Sequence, residues 1–598
     1  MKKIFVFCLA AIMLASCNMD FYSSDTMTSS QLADNPSSAV YTTNGIYSLF
    51  KDALAYKGES SDYPNGRNQY LRHYYQLTEL RSDNVTISGV TSDPFVHPYD
   101  YNEVPTEENI YYTWWLAYKV IYAANSNIEL IKPDPVDSRS ETNHVLGENY
   151  FLRALGHFHI VTLFAMPYVY WKDHPDALGV PEHRGMESYS APTTRASIGD
   201  VYQHIADDLL EAIKWLDGNT YRNTPVYASA DAARALLSRV YLYMEENDKC
   251  IQVCDELLAH APSSVTSGYD YKEYPTRTYD FDETLFCIRP NPTDWFFTEH
   301  PQSSIASMYY DDSDFKQFDG DSGWGEHYWS EELIELFQRY PQDKRFKAYF
   351  VQALEEGDNL MVTFPIKTDE KNTYCSAGIV HGLTADADGS ISFQYKIGTS
   401  KKTYKAVPTI VNGYTQYIVD DNNFVSNGEG ASKQKRVYVR QDGKVRSNGG
   451  NFPIYYNTKF SGQEGKSNLT SPALLRWGEV VLNRAEAYAK VGGKDQEALD
   501  DVNTIRHRAG LDGDADMTLA NYTARGYNSI LDVVLDERRM EFCFEGLRYF
   551  DVFRNRKDMD RRFVGFHAFG DIKWTDPRLA LLIPLDEINS SGISQNPR

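Results

Sequence analysis

Between residues 471 and 554 apolar side chains recur at helical spacing, and a carboxylate interrupts them where a hydrocarbon belongs. Leu474, Trp477, Val481, Ala485 and Tyr488 stand at i, i+3, i+7, i+11 and i+14, one face of an α-helix, with Pro472 where a first turn tolerates it. Gly492-Gly493 stops that helix, and Ala498, Val502, Ile505 and Ala509 repeat the period until Gly510, which predicts two antiparallel helices. A third begins near Ser529 on the face Val533, Glu537, Met540, Phe544, Leu547, so Glu537 is expected inside the fold.

A buried carboxylate finds a cation or gives up its charge. Arg538, Arg539, Arg548 and Arg554 follow it, and Arg476 and Arg484 lie on the preceding hairpin. A structural ion-pair network and a catalytic acid both fit a perturbed carboxylate. The local excess of guanidiniums favours the network.

Leu475-Arg476-Trp477-Gly478-Glu479-Val480-Val481-Leu482, Ala485-Glu486-Ala487, Asn503 with Arg506, Arg508, Ala509 and Gly510, then Glu537-Arg538-Arg539 with Glu541, and Glu545-Gly546 with Arg548, Asp551 and Arg554 resemble the C-terminal signature of the SusD/RagB family. That family consists of outer-membrane glycan-binding lipoproteins of Bacteroidetes. Asn44-Gly45-Ile46-Tyr47, Glu79-Leu80-Arg81-Ser82-Asp83-Asn84, Leu152-Arg153-Ala154, Leu581-Leu582-Ile583-Pro584 and Gln595-Asn596-Pro597 extend the resemblance to both ends of the chain. It is weakest over residues 357–457.

At the other end, Met1-Lys2-Lys3 is a basic start and residues 4–15 are apolar. That run is shorter than the ~20 residues a membrane-spanning helix needs, so 1–16 reads as an export signal. Leu14-Ala15-Ser16-Cys17 resembles a lipobox, which implies cleavage before Cys17, its lipidation and an outer-membrane protein tethered by lipid alone. Residues 17–35 are the expected polar tether.

A chain of 598 residues, 42% hydrophobic and 24% charged, can bury a large core. The formal charge of −24 gives no footprint for nucleic acid and opposes encounter with a polyanion. Without Cys8 and Cys17, five cysteines remain, an odd number that makes a poor disulfide framework and suits buried thiols.

Helical patterns are predicted over 36–54, 107–131, 141–164, 198–216, 229–246 and 249–260, largely in pairs. The expected fold class is therefore predominantly α: a tetratricopeptide-like scaffold of helical hairpins with long loops, its apolar faces stacked side by side. Segments 361–366, 391–397, 415–419 and 436–440 alternate apolar and polar residues between Gly, Asn and Asp clusters, which predicts a strand-rich insertion over 357–457. The helical regions on either side are 36–356 and 458–598.

Catalytic motifs are absent: there is no His-Glu-x-x-His or Gly-x-Ser-x-Gly, and Gly465-Lys466-Ser467 lacks the upstream glycine of a phosphate loop, where Phe460 stands. His157 and His159 fall on different faces of one helix and share no metal. Asp386, Asp388 and Gly389 imitate a calcium loop, but Tyr395 stands where its bidentate glutamate belongs, so a turn is expected. Asp311, Asp312, Asp314, Asp319 and Asp321 have no fixed ligand spacing and read first as an exposed acidic loop, with a structural calcium as the alternative; no cofactor is expected.

Aromatic residues outside the helical periods carry the functional expectation. Phe95, Tyr99, Tyr101 and Asn102 lie in a segment that Pro94 and Pro98 should keep extended, and Trp295, Trp324 and Tyr328 form a second group. An exposed ring offers ~150–250 Å² to the C–H face of a sugar, while neighbouring polar groups reach its hydroxyls. Tyr111 and its helical neighbours read as core. The expectation is a non-enzymatic glycan-binding lipoprotein. The resemblance implies a SusC-like TonB-dependent transporter as its partner. A glycoside hydrolase with two carboxylates ~5–9 Å apart and a peptide-capturing RagB-like protein are the alternatives.

Overall fold

In the computed structural model the predicted amphipathic helices find one another. The structure describes residues 38–598 apart from 60–64, 88–94, 187–192, 295–298, 319–322, 368–373, 425–434, 447–451 and scattered single residues or pairs. The export signal, the tether and Cys17 lie outside the described residues.

The principal helices are α1 (Ser38–Leu49), α2 (Tyr70–Glu79), α3 (Glu108–Leu130), α4 (Glu141–Phe164), α5 (Ile198–Leu216), α6 (Ala230–Tyr243), α7 (Asn247–Leu258), α8 (Glu331–Gln338), α9 (Trp477–Val491), α10 (Asp495–Arg508), α11 (Ile530–Glu541) and α12 (Leu585–Ser591). From α3 to α7 each packs on the next; α6 and α7 then pack on α9, which packs on α10 and α11. Serine hydroxyls at Ser140, Ser197, Ser229 and Ser529 accept the N–H three residues on and start α4, α5, α6 and α11. Gly492 and Gly510, at φ of 77° and 82°, end α9 and α10 in the left-handed region.

Two elements depart from the sequence pattern. All ten residues of α2 are buried, Arg72, His73 and Gln76 among them, so no polar face reveals its period. Ala473–Arg476 is a strand paired antiparallel with Thr284–Cys287, and the helix behind Pro472 begins only at Trp477. Extended backbone at Arg476 carries its side chain into the charged interior, while the Trp477 N–H donates to the Glu283 carbonyl.

That interior holds Glu537, as its place in an apolar stripe predicts, but other arginines neutralise it. Arg345 and Arg506 donate to its two oxygens at 2.6 and 3.0 Å. The six arginines near it in sequence pair elsewhere: Arg538 with Asp551, Arg539 with Asn84, Arg548 with Asp83, Arg554 with Glu486, Arg484 with Asp501, and Arg476 with Glu283, Glu541 and Glu545. Glu541 accepts from three guanidiniums, Arg476 and Arg508 at 2.7 Å and Arg345 at 3.1 Å. Burial pushes its carboxyl up, and Arg508, Arg476 and Arg345 overcome this and hold it well below the carboxylate range.

The segment 79–84 locks onto the same region. Glu79 accepts the N–H groups of Phe544 and Gly546 at 3.2 and 2.8 Å, and Asp83 receives Arg548 in a bidentate pair at 2.8 and 2.9 Å. Gly546 sits at φ 75°, and a Cβ there would fall 2.3 Å from the Thr78 hydroxyl.

The strand-rich insertion grows from a stem in which Phe350–Gln352 pairs antiparallel with Tyr455–Asn457. It contains β1 (Leu360–Lys367), β2 (Tyr374–Leu383), β3 (Ile391–Ile397), β4 (Ser400–Val411), β5 (Tyr414–Ile418) and β6 (Arg436–Gln441), joined by β7 (His567–Ala568) in the order β7-β2-β1-β6-β5-β4-β3. Phe364 on β1 lies 5.8 Å from Phe393 on β3, although three strands separate them, so the sheet curls over its own core. Asp386 to Ser390 form the expected turn, closed by the Asp386 N–H on the Ser390 carbonyl at 2.7 Å.

Glu541→Ala takes a shared carboxylate from three buried guanidiniums and is expected to lose ~3–5 kcal/mol in denaturant unfolding; a change within error would contradict the network's role. Glu148, bonded to the Tyr47 hydroxyl at 2.7 Å, is pushed up to about 7 by burial, against Arg222. The folded carboxyl keeps its proton to about pH 7 and the unfolded one releases it near the ordinary 4.5. Its contribution is therefore complete below 4.5 and lost as pH rises through 7. Glu148→Gln should thus gain on the parent protein in melting temperature between about pH 5 and about pH 8; parallel profiles would refute this.

Candidate functional site

The structure corrects the predicted aromatic site. Phe95, Tyr99, Tyr101 and Tyr328 are buried, at 2% exposure or less, and belong to the core. Val96–Tyr99 is a helical turn instead of extended chain, because Pro98 falls in a first turn where its missing N–H costs nothing. Phe95 packs on His73, and Tyr99 lies edge-on to His567. Tyr101, at φ 56°, donates its hydroxyl to the Arg81 carbonyl, and Tyr328 stacks on Phe452.

Two of the predicted residues are exposed: Asn102, and Trp324 at 51%. Arg446 donates to the Trp324 and Gly325 carbonyls at 2.9 Å and braces that loop. Trp295 lies outside the described residues, as do Asp314, Asp319 and Asp321 of the acidic loop. Asp312 is buried there and accepts the Gln317 and Phe318 N–H groups at 2.8 Å. Among the described residues no group of three or more His, Cys, Asp or Glu is placed to hold a metal.

A cleft of about 470 Å³ opens instead along α3. Tyr111, Trp115, Lys119 and Tyr122, at i, i+4, i+8 and i+11, form a stripe on its solvent side and line the cleft with Tyr56. Tyr56 stacks on Tyr111 with centroids 4.5 Å apart and meets Trp115 edge-on at 4.8 Å. Tyr122 is 40% exposed and lies 4.9 Å from His183. Burial pushes the Tyr56 and Tyr111 hydroxyls up to about 12, so both stay protonated at neutral pH. Lys119 stands 4.7 Å over the Trp115 ring, and Asp586 and Glu587 put carboxylates on the facing wall.

Motif residues hold these walls. Asn125 on α3 donates to the His183 carbonyl at 3.0 Å, and Arg153 on α4 donates to Asn125 at 2.8 Å while gripping Asp208 at 2.7 and 2.8 Å. Gln595 pairs with the Ile583 backbone in both directions at 2.7 and 2.8 Å. Asn596 donates to the Phe164 and Leu581 carbonyls, which fixes the segment leading into α12. The Trp114 indole then reaches Glu587 at 3.3 Å. The cleft can stack a flat apolar ring face on one wall and hydrogen-bond its edge from both sides.

Periodicity alone assigns Tyr111 and Trp115 to the core, because α3 is apolar nearly all round. The available signal is the second, i+4 stripe through Lys119. Nothing local marks Tyr56, His183 or Glu587, which arrive from three other parts of the chain. His157 and His159 are core residues: burial pushes both down to about 3, and His159 stacks on Tyr74 at 3.9 Å. Cys250, Cys254, Cys287 and Cys543 are buried free thiols.

Helices stacked around a buried ion network, with one flank opened into a ligand-sized cleft, define a class of predominantly helical proteins with a side-chain-built recess. Residues 45–242 match the family model described as "Starch-binding associating with outer membrane", and residues 297–576 match the SusD family model. The chain belongs to the SusD-like family. It is similar to SusD-like protein P2 of Formosa agariphila, 22% identical over 453 residues, which are 74% of this chain and 70% of that one. Its fold is similar to that of a SusD superfamily protein from Bacteroides thetaiotaomicron, with TM-score 0.64, 23% identity, and 94% and 100% of the two chains covered. A laminarin-binding SusD-like protein follows at TM-score 0.57 and 19% identity, with 94% and 98% covered. No described helix is long and apolar enough to cross a membrane.

Proposed function

We propose that the protein is a cell-surface lipoprotein that captures an oligo- or polysaccharide in the α3 cleft and passes it to a SusC-like TonB-dependent transporter of the outer membrane. The observation that carries the reading is the wall of Tyr56, Tyr111, Trp115 and Tyr122, open to solvent in a recess of about 470 Å³. Rings of this kind stack on sugar C–H faces, and Asp586, Glu587 and Lys119 complement the hydroxyl edge. The SusD-like family and the laminarin-binding structural relative support a glycan over a peptide. The anchor rests on the leader 1–16 and Cys17. Trp324 and Asn102, exposed elsewhere, stand as further contacts for a long chain.

Calorimetry with laminarin and other neutral oligosaccharides, alongside a peptide library, tests the ligand. Trp115→Ala and Tyr122→Ala are expected to cost ~1–3 kcal/mol of binding, a ten- to hundred-fold loss, with the melting temperature kept. Tyr99→Ala, in the core, should instead lose ~3–5 kcal/mol of stability with no selective effect on affinity. The glycan should be recovered with its chain length unchanged. Unaltered affinity in both cleft variants, or binding of peptides alone, would overturn the reading. Cys17→Ala should free the protein from the outer-membrane fraction, since lipid is its sole expected anchor; unchanged fractionation would refute the tether.

A further inference from the structure

We infer that the seam between the inserted sheet and α8 is a second binding site, one that takes a sugar unit bearing a carboxylate or sulfate group. The inference goes beyond the α3 cleft and rests on the reading that the chain binds glycans.

A second recess, of about 340 Å³, opens where α8 meets β5 and β6, lined by Gln338, Arg339, Tyr414, Thr415, Gln416 and Tyr417. Arg339 is the unusual member. Its side chain is 25% exposed, its nearest carboxylate is Asp536 at 3.9 Å, and its guanidinium makes no hydrogen bond among the described residues. The Tyr414 ring lies 5.4 Å away and covers a face of the guanidinium, but it satisfies none of the five N–H donors. A half-buried guanidinium whose fork opens on the recess, held by one long ion pair and no hydrogen bond, is free to receive a planar or tetrahedral oxyanion.

The surrounding groups present the same polarity. Gln338 has its carbonyl oxygen occupied by Arg440 at 2.5 Å, which leaves the amide N–H groups as its remaining function. Gln416, two residues from Tyr414 and so on the same face of β5, makes no side-chain hydrogen bond among the described residues and adds a second amide. Glu335, the carboxylate in the recess, is engaged by Arg436. Behind Tyr414 its hydroxyl meets that of Tyr340 at 3.1 Å, and Tyr340 receives Arg525 at 3.3 Å and lies 4.4 Å under Arg506. Burial pushes the Tyr340 hydroxyl up, yet Arg506, the hydrogen bond with Tyr414 and Arg525 bring it below its ordinary value, while Arg339, pulled down by burial, is raised by Asp536 and Glu335 and stays charged. Repulsion from the whole chain acts at long range and is screened beyond ~8 Å at physiological salt, whereas the Arg339 contact is local.

The test is calorimetry on the full mature chain with three trisaccharides: galacturonic acid, a sulfated galactan and neutral galactan. One charged ligand, whose identity distinguishes carboxylate from sulfate, should bind more tightly than the neutral one. Arg339→Gln should weaken it about tenfold or more and leave the neutral ligand unchanged. Gln416→Glu, half-buried on β5, should do the same by repulsion and serves if Arg339→Gln misfolds. A parent protein that binds the neutral trisaccharide and gains nothing from charge, or variants that weaken all three ligands alike, would overturn the second site and leave the α3 reading standing. Charge-dependent binding that survives Trp115→Ala, with neutral binding also intact, would overturn the α3 reading and support the seam.

Discussion

Carboxylates surrounded by guanidiniums inside an otherwise apolar body fix how this chain can fold. Glu537 and Glu541 on α11 reach Arg506 and Arg508 on α10, Arg476 at the start of α9, and Arg345, more than a hundred residues upstream. Apolar contacts tolerate sliding and repacking; a buried charge does not, since each missing partner costs several kcal/mol. Helix pairs that hydrophobic periodicity only brings together are thereby set in one register. Lys459 extends the network by donating to the Glu541 and Cys543 carbonyls at 3.0 Å.

The same logic explains the distant segment 79–84. Its helix α2 presents no solvent-facing stripe, and its position follows from Glu79 capping the turn at Phe544 and Gly546 and from Asp83 gripping Arg548. These residues resemble a family signature, yet none of them lines either recess. Signature positions here are scaffold: Arg153, Gln595 and Asn596 hold the walls of the α3 cleft, while Tyr56, Tyr111, Trp115 and Tyr122 line it.

The insertion follows a different principle. Its two ends meet in a two-stranded stem, and it has a separate core of Val362, Phe364, Phe393, Tyr404 and Val437, so the helical body tolerates a large addition at one point. Where the curled sheet leans back on α8, Glu331 accepts from Arg440 at 2.5 Å and from Tyr455 at 3.2 Å. A rigid seam results, and seams between packed units are where recesses with mixed chemistry arise.

The sequence by itself determined the long helices, the start of one near Ser529 and the glycine stops of two, the strand-rich character of the insertion and the burial of Glu537, because each is a local or periodic property. It did not determine which arginine meets which carboxylate: Arg345 was invisible from Glu537, and proximity in the chain pointed to six others. It misplaced Phe95, Tyr99, Tyr101 and Tyr328, since an aromatic residue in a loop looks the same whether the loop packs inward or outward. Tyr111 and Trp115 failed in the opposite sense, because on a helix apolar all round only the neighbours show which stripe is left open. Tertiary structure decided those points, for exposure belongs to what packs against a residue, and the packing partners Tyr56, His183 and Glu587 come from remote segments that carry no shared local signal.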